Sequence, residues 1–297
     1  MIQGAFGGVV DAAAAFSGAE APPEQRGVVL GRLQSAVAAG SLVGPLIGGI
    51  LIRFWGFRPL LLTMGVLTGM CAIAACFFLQ ESQHPASVST TQTSIARTFK
   101  TLLREPKTRA FILAGICAKI GIFGLVTVFA PFVKELVNSP TSTAAAMWVG
   151  LLQAVTWSAT FIGSGWWGKQ NDRKSVEWNY IFASLLCGIS VVLQGLVHQI
   201  EWVFVLRVLQ GFCFSALDQS VFLIVVKSST QENQGVRIGA TNSYLTLGQI
   251  FGSFSGGIFA SFLNIEGVFI AIGTVFALGS CLVGLTVKPI QITKFGK

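Results

Sequence analysis

Four ionisable residues lie within otherwise apolar runs of the sequence, where a charge can bind a charged solute or carry a proton. They are Asp11, Lys119, Arg207 and Asp218. An ionisable group is costly inside an apolar segment of membrane-spanning length, and by default it faces the interior of a helix bundle. The sequence therefore predicts transport chemistry for these residues, with structural hydrogen bonds, ion pairs or contacts at the membrane surface as the alternative.

The two aspartates occupy matching positions of an internal repeat, so we expect them to face each other at similar depth. This predicts a protonatable pair near a central cavity, or two hydrogen bonds to neighbouring helices. Lys119 lies near the middle of its apolar run and is predicted to bind an anionic substrate, to pair with an aspartate or to reach the membrane surface. Arg207 lies nearer the end of its run, so an interfacial position is an equally good interpretation.

Weaker candidates for a cavity lining are polar or amphipathic residues inside apolar runs, namely Gln153, Trp157, Asn242 and Tyr244. The sequence contains no phosphate-binding G-x-x-x-x-G-K-[ST] run and no cluster of His, Cys and carboxylate residues with catalytic or metal-ligand spacing. We therefore predict that the protein is not an enzyme and that it uses no metal and no cofactor.

The composition is typical of a protein that crosses a membrane several times. Hydrophobic residues make up 53% of the 297 residues, charged residues make up 11%, and the mean hydropathy is +0.70, whereas soluble domains carry about 25% charge. The net charge of +8 does not indicate nucleic-acid binding, because the basic residues lie in short loops. The segments long enough to cross a bilayer as helices are roughly 1–20, 29–52, 58–80, 108–133, 145–168, 177–197, 202–227, 237–262 and 266–287.

The longest polar stretch, 81–107, predicts a linker between two halves of the chain. Basic residues are concentrated in this linker and near the tail at 291–297, which places both in the cytoplasm by the positive-inside rule. The flanking units are predicted to be 1–80, with three helices, and 108–290, with six helices. Short loops favour a plasma membrane, most simply a bacterial inner membrane.

An internal repeat relates the two halves. Asp11 and Asp218 are 207 positions apart, and a run of glycine and serine residues recurs after 208 positions. The matched residues are Gly27, Gly31, Ser35, Gly40, Gly44, Gly48 and Gly49 with Gly235, Gly239, Ser243, Gly248, Gly252, Gly256 and Gly257. Three helices precede the repeated part in the second half. The repeat therefore predicts a twelve-helix parent of two six-helix halves, of which this chain contains nine helices.

Gly40, Gly44 and Gly48 form a stripe without side chains along one predicted helix, and Pro45 and Gly49 lie beside it. Such a stripe allows another helix to approach closely, so a purely structural packing role is the alternative to a functional one. A proline is tolerated in a membrane helix where neighbouring helices satisfy the freed backbone groups.

The pattern G-x-x-x-G-P-x-x-G-G at 40–49 resembles the fifth-helix motif of the major facilitator superfamily, in its drug:proton antiporter branch. Two further motifs are similar to those of this family, R-x-x-Q-G at 207–211 and a gate loop at 168–174 that lacks the family's later glycine. The gate-loop residues are Gly168, Asp172 and Arg173. The resemblance implies an all-α, major facilitator-type membrane bundle. It covers the whole chain, as helices four to twelve, and implies that the glycine–proline helix seals the contact between the halves.

These features together predict a secondary transporter that exports small organic molecules or drugs by alternating access, driven by the proton gradient. An exporter of a specific metabolite such as a siderophore is the variant that Lys119 favours. A truncated chain without the first three helices is instead expected to be transport-inactive, unless a partner chain supplies them. The expected partners are the lipid bilayer, a small-molecule substrate and protons, with no nucleic acid, and the carrier is expected to be a monomer.

Overall fold

A computed structural model describes residues 9–55, 57–78, 95–137, 142–230 and 233–286. Within these ranges the chain forms ten α-helices and a short 3-10 turn at Pro23–Gln25, so the predicted all-α fold class is confirmed. The helices are α1 (Val9–Glu20), α2 (Arg26–Trp55), α3 (Phe57–Phe78), α4 (Ile95–Arg104), α5 (Pro106–Val137), α6 (Ser142–Arg173), α7 (Val176–Leu196), α8 (Ile200–Lys227), α9 (Gln234–Phe262) and α10 (Ile265–Gly284).

Six of the described helices are long and apolar enough to cross a membrane, namely α2, α3, α5, α7, α8 and α10. Helices α6 and α9 are also long, with 32 and 29 residues, but they contain many glycine, serine, threonine and glutamine residues, which lower their hydropathy. Helix α1 has 12 described residues, and residues 1–8 lie outside the described ranges. The number of nine crossing helices therefore stays a prediction.

Close contacts between small residues hold the second half together. The stripe Gly248, Gly252 and Gly256 of α9 lies against α5, where Cβ atoms at these positions would be 2.7, 2.6 and 2.5 Å from three carbonyl oxygens of α5. Because any larger residue would meet backbone atoms, glycine is what allows these two helices to approach so closely. Large aromatic side chains of the second half, among them Phe111 and Phe276, are fully buried.

Helix α2 joins the first half to the second through its N-terminal part. A Cβ at Gly31 would be 2.6 Å from the carbonyl oxygen of Ser164 in α6, and the hydroxyls of Ser35 and Ser164 are 2.6 Å apart. Gly27 packs equally closely on the end of α6. Two glycines and a serine that lie four residues apart on one face of α2 thus make the contact between α2 and α6.

The stripe that begins at Gly40 lies on the other face of α2 from Gly27 and Gly31. Gly40 follows Gly31 by nine residues, about two and a half helical turns, and therefore lies on the opposite face of α2. Among the described residues, no atom comes within 4 Å of a Cβ placed at Gly40 or Gly44. The predicted role of this motif in sealing the contact between the halves stays a prediction. Helix α2 is continuous through the motif, but the side-chain surroundings of Pro45, Gly48 and Gly49 lie outside the described part.

The polar linker contains a helix that its composition did not indicate. Helix α4 is amphipathic: Phe99 and Leu102 pack against the second half, whereas its basic side chains are exposed. Those basic residues are Arg97, Lys100 and Arg104. Directly after α4, the carboxylate of Glu105 accepts hydrogen bonds from both terminal nitrogens of Arg237, at 2.9 and 2.6 Å. These contacts attach the linker to α9.

Candidate functional site

A cavity of about 430 Å³ lies between five helices, α2 of the first half and α5, α6, α8 and α9 of the second. Its wall combines apolar side chains with an unusually polar set for the interior of an apolar bundle. The polar and charged lining residues are Gln34, Lys119, Gln153, Thr156, Trp157, Thr160, Arg207, Gln210, Asp218, Asn242 and Gln249. The combination of a mostly apolar wall with a few placed polar groups is typical of a small-molecule site.

Helix geometry brings several of the predicted residues to this cavity. Arg207, Gln210, Phe214 and Asp218 follow one another at spacings of three or four residues, so they share one face of α8. The same spacing places Gln153, Trp157 and Thr160 together on α6. Of the residues that the sequence indicates, those lining the cavity are Lys119, Arg207, Asp218, Gln153, Trp157 and Asn242.

Tyr244 lies outside the cavity, contrary to expectation. It follows Asn242 by two residues, about 200° around the axis of α9, so the two side chains cannot share a face. The Tyr244 hydroxyl donates a hydrogen bond to the carbonyl oxygen of Phe99, at 3.3 Å, and the two rings meet edge to face at 5.2 Å. Tyr244 therefore holds α4 rather than lining the cavity.

Sequence reasoning missed several lining residues, notably Gln34, Thr156 and Gln249, and it noted Gln210 only as part of the R-x-x-Q-G motif. Uncharged polar residues are common in membrane helices, so none of these stands out alone. Their helical register could have indicated them, because Gln210 and Thr156 lie on the same helix faces as residues that stand out by their charge or size.

Lys119 and Asp218 form an ion pair across the cavity wall. The Lys119 Nζ lies 2.6 Å from Asp218 Oδ2, and the side chains are only 13% and 11% exposed. The ring of Phe214 lies next to this pair, with its centroid 5.7 Å from Nζ. Each charge thus has a hydrogen-bonded counter-charge, which offsets much of the cost of removing it from water. The described ranges do not include the side chain of Asp11, so its predicted position opposite Asp218 stays a prediction.

Arg207 is the most buried charged group of the cavity lining, with 4% of its surface exposed. Its guanidinium lies over the ring of Phe129, 3.4 Å from the ring centroid, and Nη1 donates a hydrogen bond to Gln210 Oε1 at 3.2 Å. Gln194 donates a second hydrogen bond to the same oxygen, at 3.0 Å. Arg207 therefore lies inside the bundle and not on its outer surface, and its depth in the membrane stays a prediction.

The residues of the predicted gate loop lie in the last two turns of α6, which continues through Arg173. Asp172 faces the first turn of α2: its two carboxylate oxygens accept hydrogen bonds from the backbone N–H groups of Gly27 and Val28, at 2.7 and 2.8 Å. A carboxylate at a helix N-terminus satisfies free N–H groups and interacts favourably with the helix dipole. Gly168 is in backbone contact with Gly27, whereas Arg173 is exposed.

Comparison with known proteins gives the family. The model described as Major Facilitator Superfamily matches residues 1–156 and 141–295. A staphyloferrin B transporter of Staphylococcus aureus (strain NCTC 8325 / PS 47) is 42% identical over 282 residues, which cover 94% of this chain and 67% of that protein. A multidrug resistance protein MdtG of Enterobacter lignolyticus (strain SCF1) is 23% identical, over 97% of this chain and 68% of its own length.

Two solved structures are similar in fold. The human organic anion transporter MFSD10 (TETRAN) superposes with a TM-score of 0.75 at 14% identity, and the match covers 93% of this chain and 68% of that one. A variant of the E. coli fucose:proton symporter FucP gives a TM-score of 0.73 at 15% identity, over 96% of this chain and 74% of that one. The family match extends over almost the whole sequence, and the helical fold agrees with it. The chain belongs to the Major Facilitator Superfamily and is a membrane transporter.

Proposed function

We propose that this carrier exports small organic molecules in exchange for protons, by alternating access. The observation that carries the proposal is the cavity, which lies between helices of both halves and is lined by Lys119, Arg207 and Asp218. Charged groups at such a position are costly, and binding of substrate or protons is the usual reason for keeping them. Rocking of the two halves about the cavity opens it to one side of the membrane at a time.

The proton site that we propose is Asp218, because its carboxylate borders the cavity and, among the described residues, forms an ion pair with Lys119 alone. Asp172 has a different role in this proposal. Its two hydrogen bonds to the N-terminus of α2 join the halves at one end, and they must break when the halves separate there. The state in which the halves are joined at Asp172 and the state in which they separate there are then the two states of one rocking motion.

A specific metabolite, a siderophore, is the substrate that we favour over a broad range of drugs. The staphyloferrin B transporter is 42% identical to this chain, whereas the multidrug resistance protein MdtG is 23% identical. The outward direction of transport rests on the likeness of the 40–49 motif to that of proton-coupled antiporters. Broad drug efflux is the second candidate, and the mostly apolar wall around Trp157 is the observation that favours it.

We further propose a monomeric carrier whose nine helices here belong to a twelve-helix, six-plus-six arrangement in a bacterial inner membrane, with the linker and C-terminus in the cytoplasm. The repeat supports this arrangement. Gly252 lies against α5, whereas its counterpart Gly44 has no neighbour among the described residues. A first-half counterpart of α5 is the helix expected to cover Gly44 in the full arrangement.

The proposal is tested by efflux from cells that express the 297-residue chain. We expect preloaded staphyloferrin B to leave these cells faster than vector controls, and we expect a protonophore to abolish the difference. Ethidium, measured in parallel, tests the drug-efflux alternative. Efflux that survives the protonophore, or that matches the vector control for both compounds, would contradict proton-coupled export by this chain.

A further inference from the structure

The charges that line the described cavity do not cancel. Lys119 and Asp218 neutralise each other at 2.6 Å. Arg207 has no carboxylate within ion-pair distance among the described residues, although it is almost fully buried. The described lining therefore has one positive charge in excess, and that charge lies at Arg207.

The guanidinium of Arg207 is fixed in place but has unused hydrogen-bonding capacity. The ring of Phe129 lies against it, and Gln210 accepts one hydrogen bond from Nη1. The Nε atom is buried without a partner in the described structure. A guanidinium has five N–H donors, and two of them on one edge match the two oxygens of a carboxylate. Arg207 therefore has both the charge and the free donors that a carboxylate requires.

The energy of burial also favours an anionic ligand. Removing a cation from water costs more free energy than contact with an aromatic face returns. A ligand that brings a negative charge into the cavity offsets the remaining cost each time it binds. Phe129 and Gln210 carry no charge, so among the described residues the charge of Arg207 stays uncompensated.

We propose that Arg207 is the anion-binding group of the cavity and that the substrate is an organic carboxylate whose carboxyl group docks on it. This inference rests on the proposed function, because it takes the cavity to be the transport site. The ion pair Lys119–Asp218 lies at the other end of the site. Arg207 and Asp218 are eleven residues apart on α8, about 16 Å along its axis.

That length and its lining define the substrate further. The amide groups of Gln153, Gln210 and Asn242 line the same cavity. A neutral ion pair offers both a donor and an acceptor, so it suits hydroxyl or amide groups better than a second bare charge. The site therefore fits an extended, polar carboxylate, and it fits a lipophilic cation poorly.

The test uses citrate as a carboxylate probe, because its triethyl ester has the same skeleton without the charge. Tetraphenylphosphonium serves as the lipophilic cation. Thermal unfolding of the purified 297-residue chain in detergent is followed at constant ionic strength, since a ligand that binds the folded state raises the midpoint with concentration. We expect a saturable rise with citrate and none with the ester or with tetraphenylphosphonium.

Variants at Arg207 separate binding from folding. Arg207→Gln should remove the citrate effect, and Arg207→Lys, which keeps the charge but not the two-pronged donor edge, should weaken citrate binding at least about tenfold. Arg104→Gln, which removes an exposed arginine of α4, is the matched control and should bind citrate as the wild type does. If Arg207→Gln unfolds, the Arg207→Lys titration still decides the question.

Three results would overturn this assignment: equal citrate binding by the wild type and the Arg207 variants, no citrate effect on the wild type up to about 20 mM, or equal stabilisation by the ester. The transport proposal is judged separately. Proton-driven efflux together with a failed citrate titration would support the proposed transport and contradict only the assignment of the substrate as an organic carboxylate. Citrate binding that depends on Arg207, without efflux, would support the anion-binding site and contradict the proposed transport.

Discussion

At the scale of single residues, the role of the Lys119–Asp218 pair distinguishes a cavity that binds a solute or protons from one that is only part of the packed interior. Removing two charges from water costs several kcal/mol per ion, and their attraction offsets this only with close geometry such as the 2.6 Å contact seen here. Apolar residues of similar size would stabilise the bundle at least as well. The pair is therefore better explained by its chemistry than by its contribution to stability.

Paired substitutions can separate these two roles. Asp218→Asn alone leaves Lys119 as an uncompensated buried cation, and we expect it to lower the free energy of unfolding by about 3 kcal/mol. Replacing both residues by apolar ones, with Lys119→Met and Asp218→Leu together, should restore wild-type thermal stability. The double variant should nevertheless fail to transport. Proton-driven efflux by a stable double variant would show that the pair is structural.

A second ion pair, between Glu105 and Arg237, makes the attachment of the linker depend on pH. The hydrogen bond from Arg237 is the largest of the causes that act on Glu105, and it holds the pKa of that carboxyl below its ordinary value. Because the folded-state pKa is the lower one, the stabilisation is complete above about pH 5, and it is lost as the pH falls through the folded-state pKa.

The resulting prediction concerns α4 alone. Limited proteolysis of the 95–104 segment should be slow and constant from about pH 8 to 6, and should accelerate below about pH 4.5. Glu105→Gln should cleave faster at neutral pH and lose most of the acid dependence. An unchanged cleavage rate for Glu105→Gln at neutral pH would mean that Phe99, Leu102 and Tyr244 hold α4 without help from the ion pair.

The residues that line the cavity are easiest to predict from the sequence when they carry a charge. Arg207 and Asp218 stand out because a charge in an apolar run is expensive and therefore rare. Asn242 and Tyr244 cannot be separated in this way. Both are moderately polar, and only the orientation of α9 decides that one borders the cavity and the other contacts Phe99.

At the scale of helices, α2 and α9 show two uses of one repeated pattern. In α9 the stripe through Gly252 packs within its own half, and in α2 the stripe through Gly27 and Gly31 packs between the halves. The two stripes lie on opposite faces of each helix, since they are offset by about two and a half turns. Such a helix can join its own half and the other half at once. The glycines are visible in the sequence, but only the tertiary structure shows which face meets a partner.

Matched alanine substitutions at repeat-related positions test this difference. In the 297-residue chain, Gly252→Ala places a Cβ 2.6 Å from the carbonyl oxygen of Ile120, and it should destabilise the chain by about 1–3 kcal/mol. Gly44→Ala should be neutral or slightly stabilising, because alanine favours a helix and the position is open. Equal losses in thermal unfolding midpoint for both would contradict the open surroundings of Gly44.

The contact of Asp172 with the start of α2 gives a prediction about the junction between the halves. Asp172→Ala removes two charge-assisted hydrogen bonds, and we expect it to cost about 1–2 kcal/mol of stability. The neighbouring exposed residue gives the control, since Arg173→Ala should change stability by less than about 0.5 kcal/mol. Similar thermal unfolding midpoints for both variants would show that Asp172 does not hold the junction.

Helix α4 shows where sequence reasoning fails for an element. The stretch IARTFKTLLR has low hydropathy, so its composition indicates a polar linker. Its apolar residues nevertheless recur at helical spacing, and they pack against the second half. Periodicity rather than average composition was the informative signal.

At the scale of the whole molecule, two parts of the boundary between the halves differ in chemistry. At one place, Asp172, Gly27 and Ser35 join α2 to α6 by hydrogen bonds and backbone contact. At the other, the halves are separated by a cavity with charged groups. Contacts of the first kind can break and form in one step. This arrangement suits a carrier that alternates between two states around a fixed site.

The most direct test is countertransport in proteoliposomes that contain the purified 297-residue chain, with the staphyloferrin B transporter as positive control. An imposed pH gradient should drive staphyloferrin B across the membrane against the proton flux, and Asp218→Asn should abolish this coupled movement. Staphyloferrin B movement by the control protein but not by this chain would contradict the account for these 297 residues. Movement that ignores the pH gradient would contradict proton coupling itself.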